Sequence, residues 1–199
     1  MAFSATQIVR DALQLWAMSL VSDLFLASTI EGGPVEPGQA PALPTLGLDW
    51  GMTEATGGRS VDIPEEVDLT TGAGVWLVHY EDVELAFVWR ATTPETADLF
   101  AHTFANRAAR AARESNEDGQ RVLHFDVEIG DATRTAKLYL SGEVVPVRTE
   151  ENVSRGLYTF RVPGSVAYPV IDVESPQDAT GLMNIVVVIG GTSYPIPEA

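Results

Sequence analysis

Residues 121–129, Arg-Val-Leu-His-Phe-Asp-Val-Glu-Ile, alternate in a way that only an extended strand can use. Successive side chains of a strand point to opposite faces, so Leu123, Phe125, Val127 and Ile129 share one face while Val122, His124, Asp126 and Glu128 share the other. A strand with one apolar and one wet face belongs to an antiparallel sheet packed on one side. More β-rich runs follow at residues 134–140, 143–148, 156–162 and 166–173, with Gly130-Asp131 and Ser141-Gly142 as expected hairpin turns. Upstream, residues 75–80 and 83–90 read as a hairpin or two consecutive strands, separated by Glu81 and Asp82. Near the end, Ile185, Val186, Val187 and Val188 form an apolar strand, followed by a Gly-Gly turn and a short return.

Two segments carry the helical period instead. Ser4 and Gln7 have capping-box spacing, and Ile8, Val9, Ala12, Leu13, Leu15, Trp16, Leu20, Leu24 and Phe25 follow, so a long helix is expected from about Thr6 into the twenties. Its apolar surface is wider than one stripe, which calls for packing on a sheet and on something else. Thr93, Pro94 and Glu95 then begin a second helix: Thr caps, Pro suits the first position and Glu meets the positive end of the dipole. Ala97, Phe100, Ala101, Phe104, Ala108, Ala111 and Ala112 form its inward side. The expected fold is therefore α+β, mainly an antiparallel sheet flanked by two helices. It has a long N-terminal loop or arm and a C-terminal β extension. The divisions are residues 1–30 (helix), 31–74 (arm), 75–174 (core) and 175–199 (extension), all within one domain.

The segment 31–74 is rich in proline and glycine and holds neither period. It reads either as a surface loop or as an arm that orders against a neighbouring subunit, with Leu46, Leu48, Trp50 and Met52 as anchors.

Charge narrows the function. Among 199 residues, 28 acids oppose 12 bases, a net charge of −16. Such a surface repels nucleic acid phosphate and anionic lipid, so DNA would slide past without being gripped. Cysteine is absent, which excludes disulfides and thiolate metal sites. Residues 12–27 contain Gln14, Ser19, Ser22 and Asp23, too polar for an unaided membrane span, and no signal peptide pattern precedes them. The expectation is a soluble protein made in the cytoplasm. Against this background Arg107, Arg110 and Arg113 recur every three residues on the second helix. They either complement the helix dipole as a solvated end or meet acidic surface on another copy of the chain.

No phosphate-binding loop, dinucleotide fingerprint, zinc-protease motif, nucleophile elbow or calcium loop is present in the sequence. His79, His102 and His124 fall in different elements, and the spacings His79–Asp82 and His124–Asp126 lack a third ligand. Glu65-Glu66 and Glu150-Glu151 are adjacent acids among turn residues, with solvated charge as their ordinary reading. Trp76 and Trp89 sit in strands where core packing suits them better than a sugar platform. No catalytic, metal or cofactor site is expected. A small acidic hydrolase using carboxylates of residues 31–74, or a binding module with an aromatic face, stands as the alternative class.

The order of elements, and the stretch from Leu85 to Ala112 with the strands after it, resembles the tail terminator proteins of long-tailed bacteriophages. The resemblance spans roughly residues 75–174 and rests on architecture, not on a signature motif. It implies a structural virion protein of the tail or neck. Such a protein closes the head-proximal end of the tail tube as a ring, usually hexameric. The implied partners are other copies of the chain, the tube protein, a neck or head-completion protein, and the sheath where a tail is contractile, with DNA passing through. Another neck, tube or head-completion component is the near variant. Within this reading Arg107, Arg110, Arg113, Trp50 and the strand Ile185 to Val188 are the candidate subunit interface, the strand by adding to a neighbour's sheet edge.

Overall fold

The computed structural model describes residues 5–27, 44–51, 65–68, 75–112, 114–115, 121–129, 132–148, 154, 156–172 and 185–195. Among these residues three helices, α1 (Ala5–Leu20), α2 (Ser22–Ala27) and α3 (Pro94–Ala111), accompany ten strands. The strands are β1 (Thr45–Trp50), β2 (Glu65–Asp68), β3 (Val75–Ala91), β4 (Glu114–Ser115), β5 (Arg121–Ile129), β6 (Ala132–Leu140), β7 (Val145–Val147), β8 (Tyr158–Asp172), β9 (Ile185–Ile189) and β10 (Thr192–Pro195). They form one sheet in the order β1-β3-β8-β6-β5-β9-β10, with β2 added to β3, β4 to β5 and β7 to β8. Every pairing is antiparallel, and the chain is the α+β protein its pattern predicts.

Helix α3 starts as its residues require. Thr93 stays extended at φ −124° and ψ 144°, and its hydroxyl oxygen accepts the Thr96 N–H at 3.3 Å. The helix ends at Ala111, where the Ala112 N–H closes on the Ala108 carbonyl at 2.9 Å. The expected first helix is two pieces, α1 and α2, broken at Val21; that side chain is fully buried, so the chain turns without losing an apolar contact.

One face of the sheet makes the core. Register places Leu48 beside Phe87 and Phe87 beside Val162, while Leu138 stands between Val166 and Leu123. Phe125 and Val127 continue it toward Val187 and Ile189. Onto this face α1 and α3 lay Val9, Leu13, Trp16, Phe100 and Phe104, all buried. Trp16, Phe87 and Phe104 pack as an aromatic triplet, with centroids 4.6 Å apart for Phe87–Phe104 and 5.9 Å for Trp16–Phe104. Burial of each such side chain contributes about 1.5–3 kcal/mol, and each aromatic pair about 0.5–1.5 kcal/mol beyond its area.

The sheet curls around α1. This helix touches β1 at one end of the strand order and β9 and β10 at the other, which a flat sheet could not allow. It also closes the β1 edge. The Gly51 N–H donates to the Glu84 carbonyl at 2.9 Å, so odd positions of β1 face β3 and even positions face outward. The outward carbonyls of Leu48 and Leu46 accept from Arg10 at 3.2 Å and Gln14 at 3.1 Å, one helical turn apart. An edge strand that would otherwise invite another chain is thus occupied by side chains of the protein's own helix.

Two prolines shape the central strand β8. Odd positions of β8 face β6 and β7, and proline offers no N–H there. At Pro163 the partner strand breaks into β6 and β7, and the freed Pro163 carbonyl accepts from the Ser141 N–H at 3.3 Å and hydroxyl at 3.2 Å. The β6 ladder ends at Lys137↔Ala167, just before Pro169. There the Tyr80 hydroxyl, on the far side of Pro169, donates to the Thr135 carbonyl at 3.3 Å. Between the breaks Gly164 is required by space: a Cβ would stand 2.5 Å from the Tyr139 carbonyl oxygen. Gly190 (φ 60°) and Gly191 (φ 82°) supply the left-handed pair of the β9–β10 turn, as the Gly-Gly pattern predicts.

Four expectations are corrected. Glu81 and Asp82 do not divide one strand from another, because they pair with Tyr168 and Ala167 inside a single 17-residue β3. Residues 156–162 and 166–173 are not separate strands, since β8 runs through Pro163 and Gly164. Ser141-Gly142 is not a hairpin turn but the interruption between two strands on the same edge of β8. The span 31–74 is not wholly arm, because β1 and β2 lie within it and pair with β3. Ser4, Met52 and most of that span fall outside the described residues.

Candidate interaction surfaces

The three arginines of the α3 face do not act alike. Arg107 is used within the chain: its two terminal nitrogens grip the Asp23 carboxylate, the second at 2.9 Å, and one also donates to the Leu20 carbonyl at 2.6 Å. That grip holds the Asp23 carboxyl below its usual range, chiefly through the hydrogen bond, and raises the Arg107 guanidinium. Arg107 is therefore a clip between α3 and the α1–α2 junction, its guanidinium engaged within the chain. Arg110 lies exposed in the last turn with no polar partner among the described residues. Arg113 lies outside the described residues.

Trp50 is half-buried at the end of β1, edge-on to Tyr168 with centroids 5.5 Å apart. Tyr168, fully buried, donates its hydroxyl to Glu81 at 3.2 Å. The tryptophan thus ties β1 to its own sheet.

Ile185, Val186, Val187 and Val188 likewise complete the chain's own sheet. β9 pairs with β5 from Ile129↔Ile185 to Asp126↔Val188 and is covered on its other side by β10. Val187 is fully buried while Val186 and Val188 are half-buried on the opposite face. Augmentation of a neighbour by this strand is corrected, because both of its edges already have partners.

What the body leaves open is the second face of the sheet, over which no helix lies among the described residues. Asp82, Glu84, His124, Glu128 and Lys137 stand exposed on it, and Asp126 accepts from the Thr135 hydroxyl at 3.2 Å. Near the β1 end the picture changes. Ala86 and Val88 are both 2% exposed although no helix among the described residues covers this face. Arg161, in register with Val88, reaches toward β1 and pairs with Asp49 at 3.2 Å. Arg90 folds over Gly47, its terminal nitrogen only 2.9 Å from where a Cβ would stand. The aliphatic stems of these two arginines lie along apolar surface while their heads stay polar. On β8, across β3 from Gly47, the cross-strand partner of Arg90, Thr159, is 4% exposed with an unpartnered hydroxyl, and the Arg161 Nε is buried without a partner as well.

No reasoning from spacing could find this cluster. Asp49, Arg90 and Arg161 are brought together only by the β1–β3–β8 register. His102 pairs with Asp98 at 3.2 Å along α3, and His124 stands across from Lys137. Among the described residues no group of three or more histidines and carboxylates is placed to hold a metal, and no helix is long and apolar enough to cross a membrane. The side chain of His79 and residues 150 and 151 lie outside the described set. The sequence matches no family model, and no curated protein matches it either.

Proposed function

We propose that the chain is a structural virion protein, a tail terminator subunit that assembles with copies of itself into a ring at the head-proximal end of a phage tail tube. One observation carries this reading: β3 and β8 pair over 15 positions, from Ala91↔Tyr158 to Leu77↔Asp172, five pairs past Lys137↔Ala167, where the β6 ladder ends. At about 3.3 Å per residue such a ribbon spans roughly 50 Å, and strands usually run about 5–6 residues. The N-terminal end of β3 leaves with β2 and β8 after Pro169 has released β6. A domain that served only itself would gain little from ordering such a ribbon, since each ordered residue costs about 1–2 kcal/mol of backbone entropy. A subunit that must grip a neighbour in a closed ring does gain from it.

The clipped helices fit the same role. With the β1 edge occupied by α1, strand addition at that end of the sheet is blunted, as a protein that ends a polymer requires. The net charge of −16 suits a channel that lets DNA pass without binding it. The partners in this reading are further copies in a hexameric ring, the tube protein on one side and a neck or head-completion protein on the other. Negative-stain microscopy of the purified full chain tests it. Closed rings with a central channel support the reading, and particles of single-chain size at every concentration oppose it.

A further inference from the structure

We infer that Arg90 and Arg161 form a carboxylate-binding site on the helix-free sheet face, filled by an acidic side chain of a second copy of this chain. The inference rests on the ring reading and names a contact within it. Two guanidinium groups converge over β1: Arg90 above Gly47, and Arg161 on Asp49 two residues further along. One carboxylate neutralises one of them, so the cluster keeps a positive charge in a chain that has 28 acids and 12 bases. Arg90 has no polar partner among the described residues, and its close seat over the backbone exists only because residue 47 has no side chain. The cluster is also under-satisfied inside the chain, with the Arg161 Nε buried and unpartnered. Buried polar atoms left without partners are uncommon and mark places that a further group completes.

A carboxylate suits the opening because a guanidinium offers two parallel N–H donors matched to its two oxygens. The second copy is the fitting source because its surface is mostly acidic. On the same face alone Asp82, Glu84 and Glu128 stand exposed. Arg107 and Arg110 are less suited, the first because Asp23 already holds it, the second because it stands exposed in the last turn of α3 with no unpartnered buried polar atom beside it among the described residues.

Sedimentation velocity of the full-length chain over a wide concentration range, at low and high salt, tests the site with Arg90→Gln, Arg90→Lys and the double variant Arg90→Gln/Arg161→Gln. Arg90 makes no ion pair among the described residues, so its variants keep the wild-type melting temperature, which serves as the check on folding. The expected result is self-association of the wild type that weakens with salt, is reduced at least tenfold by Arg90→Gln, is partly retained by Arg90→Lys, and is lost in the double variant. Wild-type assembly that the folded Arg90→Gln and double variants share overturns the site and leaves the ring reading standing. A wild type that stays monomeric throughout overturns both.

Discussion

Arg107 and Gly164 show how single residues fix this fold. Arg107 joins α3 to Asp23 and to the Leu20 carbonyl, so Arg107→Ala frees the junction of α1 and α2 and lowers the melting temperature at neutral pH. The Asp23 carboxyl is held below its ordinary value of 3.8, first by that hydrogen bond. A carboxyl with a lowered folded-state pKa contributes stability above its unfolded value and loses it as pH falls through the folded one. The difference between wild type and Arg107→Ala is therefore constant from neutral pH down to about 4 and closes only in stronger acid. Thermal melts over that range measure it. Gly164→Ala acts through space alone: the new methyl meets the Tyr139 carbonyl oxygen, a backbone atom that cannot step aside without pulling β6 away from β8. A loss of about 1–3 kcal/mol is expected in denaturant unfolding.

At the scale of elements, α1 and β9–β10 are what hold the curl closed. Phe104 is fully buried between Trp16, Phe87 and Trp89, so Phe104→Ala opens a cavity where α1, α3 and β3 meet. It should cost about 3–5 kcal/mol, read as a lower denaturation midpoint with little change in slope. Deleting residues 185–195 removes Val187 and Ile189 from the core and bares the edge of β5, so the truncated chain is expected to fail to fold, by circular dichroism and aggregation. Had β9 served a neighbour, the truncated monomer would fold and only assembly would suffer. Much of this layer was legible in the sequence. Thr93-Pro94-Glu95 announced α3, the alternation of residues 121–129 announced β5, and Gly190-Gly191 announced the last turn. What was not legible came from pairing across distance. Glu81-Asp82 and Pro163-Gly164 look like turns locally, yet each is carried through a strand because its long partner is continuous at that point. The cluster of Asp49, Arg90 and Arg161 was invisible for the same reason, since its members are neighbours only through the sheet's register.

For the whole molecule, the arrangement separates a self-contained body from surface suited to partners. α1 fills the curl and covers the β1 edge, α3 covers β3 and β8, and the clip at Arg107 fixes both helices. The β2–β3–β8 ribbon runs on past the end of the β6 ladder, and the second sheet face, with its mixed charges, has no helix over it among the described residues. A heterologous contact between two unlike patches closes into a ring when its rotation divides a full turn, and otherwise runs on as a filament. Native mass spectrometry of the full chain over a range of concentrations distinguishes these cases directly. The account predicts monomer together with one closed assembly of fixed subunit number, six by resemblance to tail terminators, with few intermediates. A monomer alone at every concentration, or an open-ended ladder of masses, would contradict it.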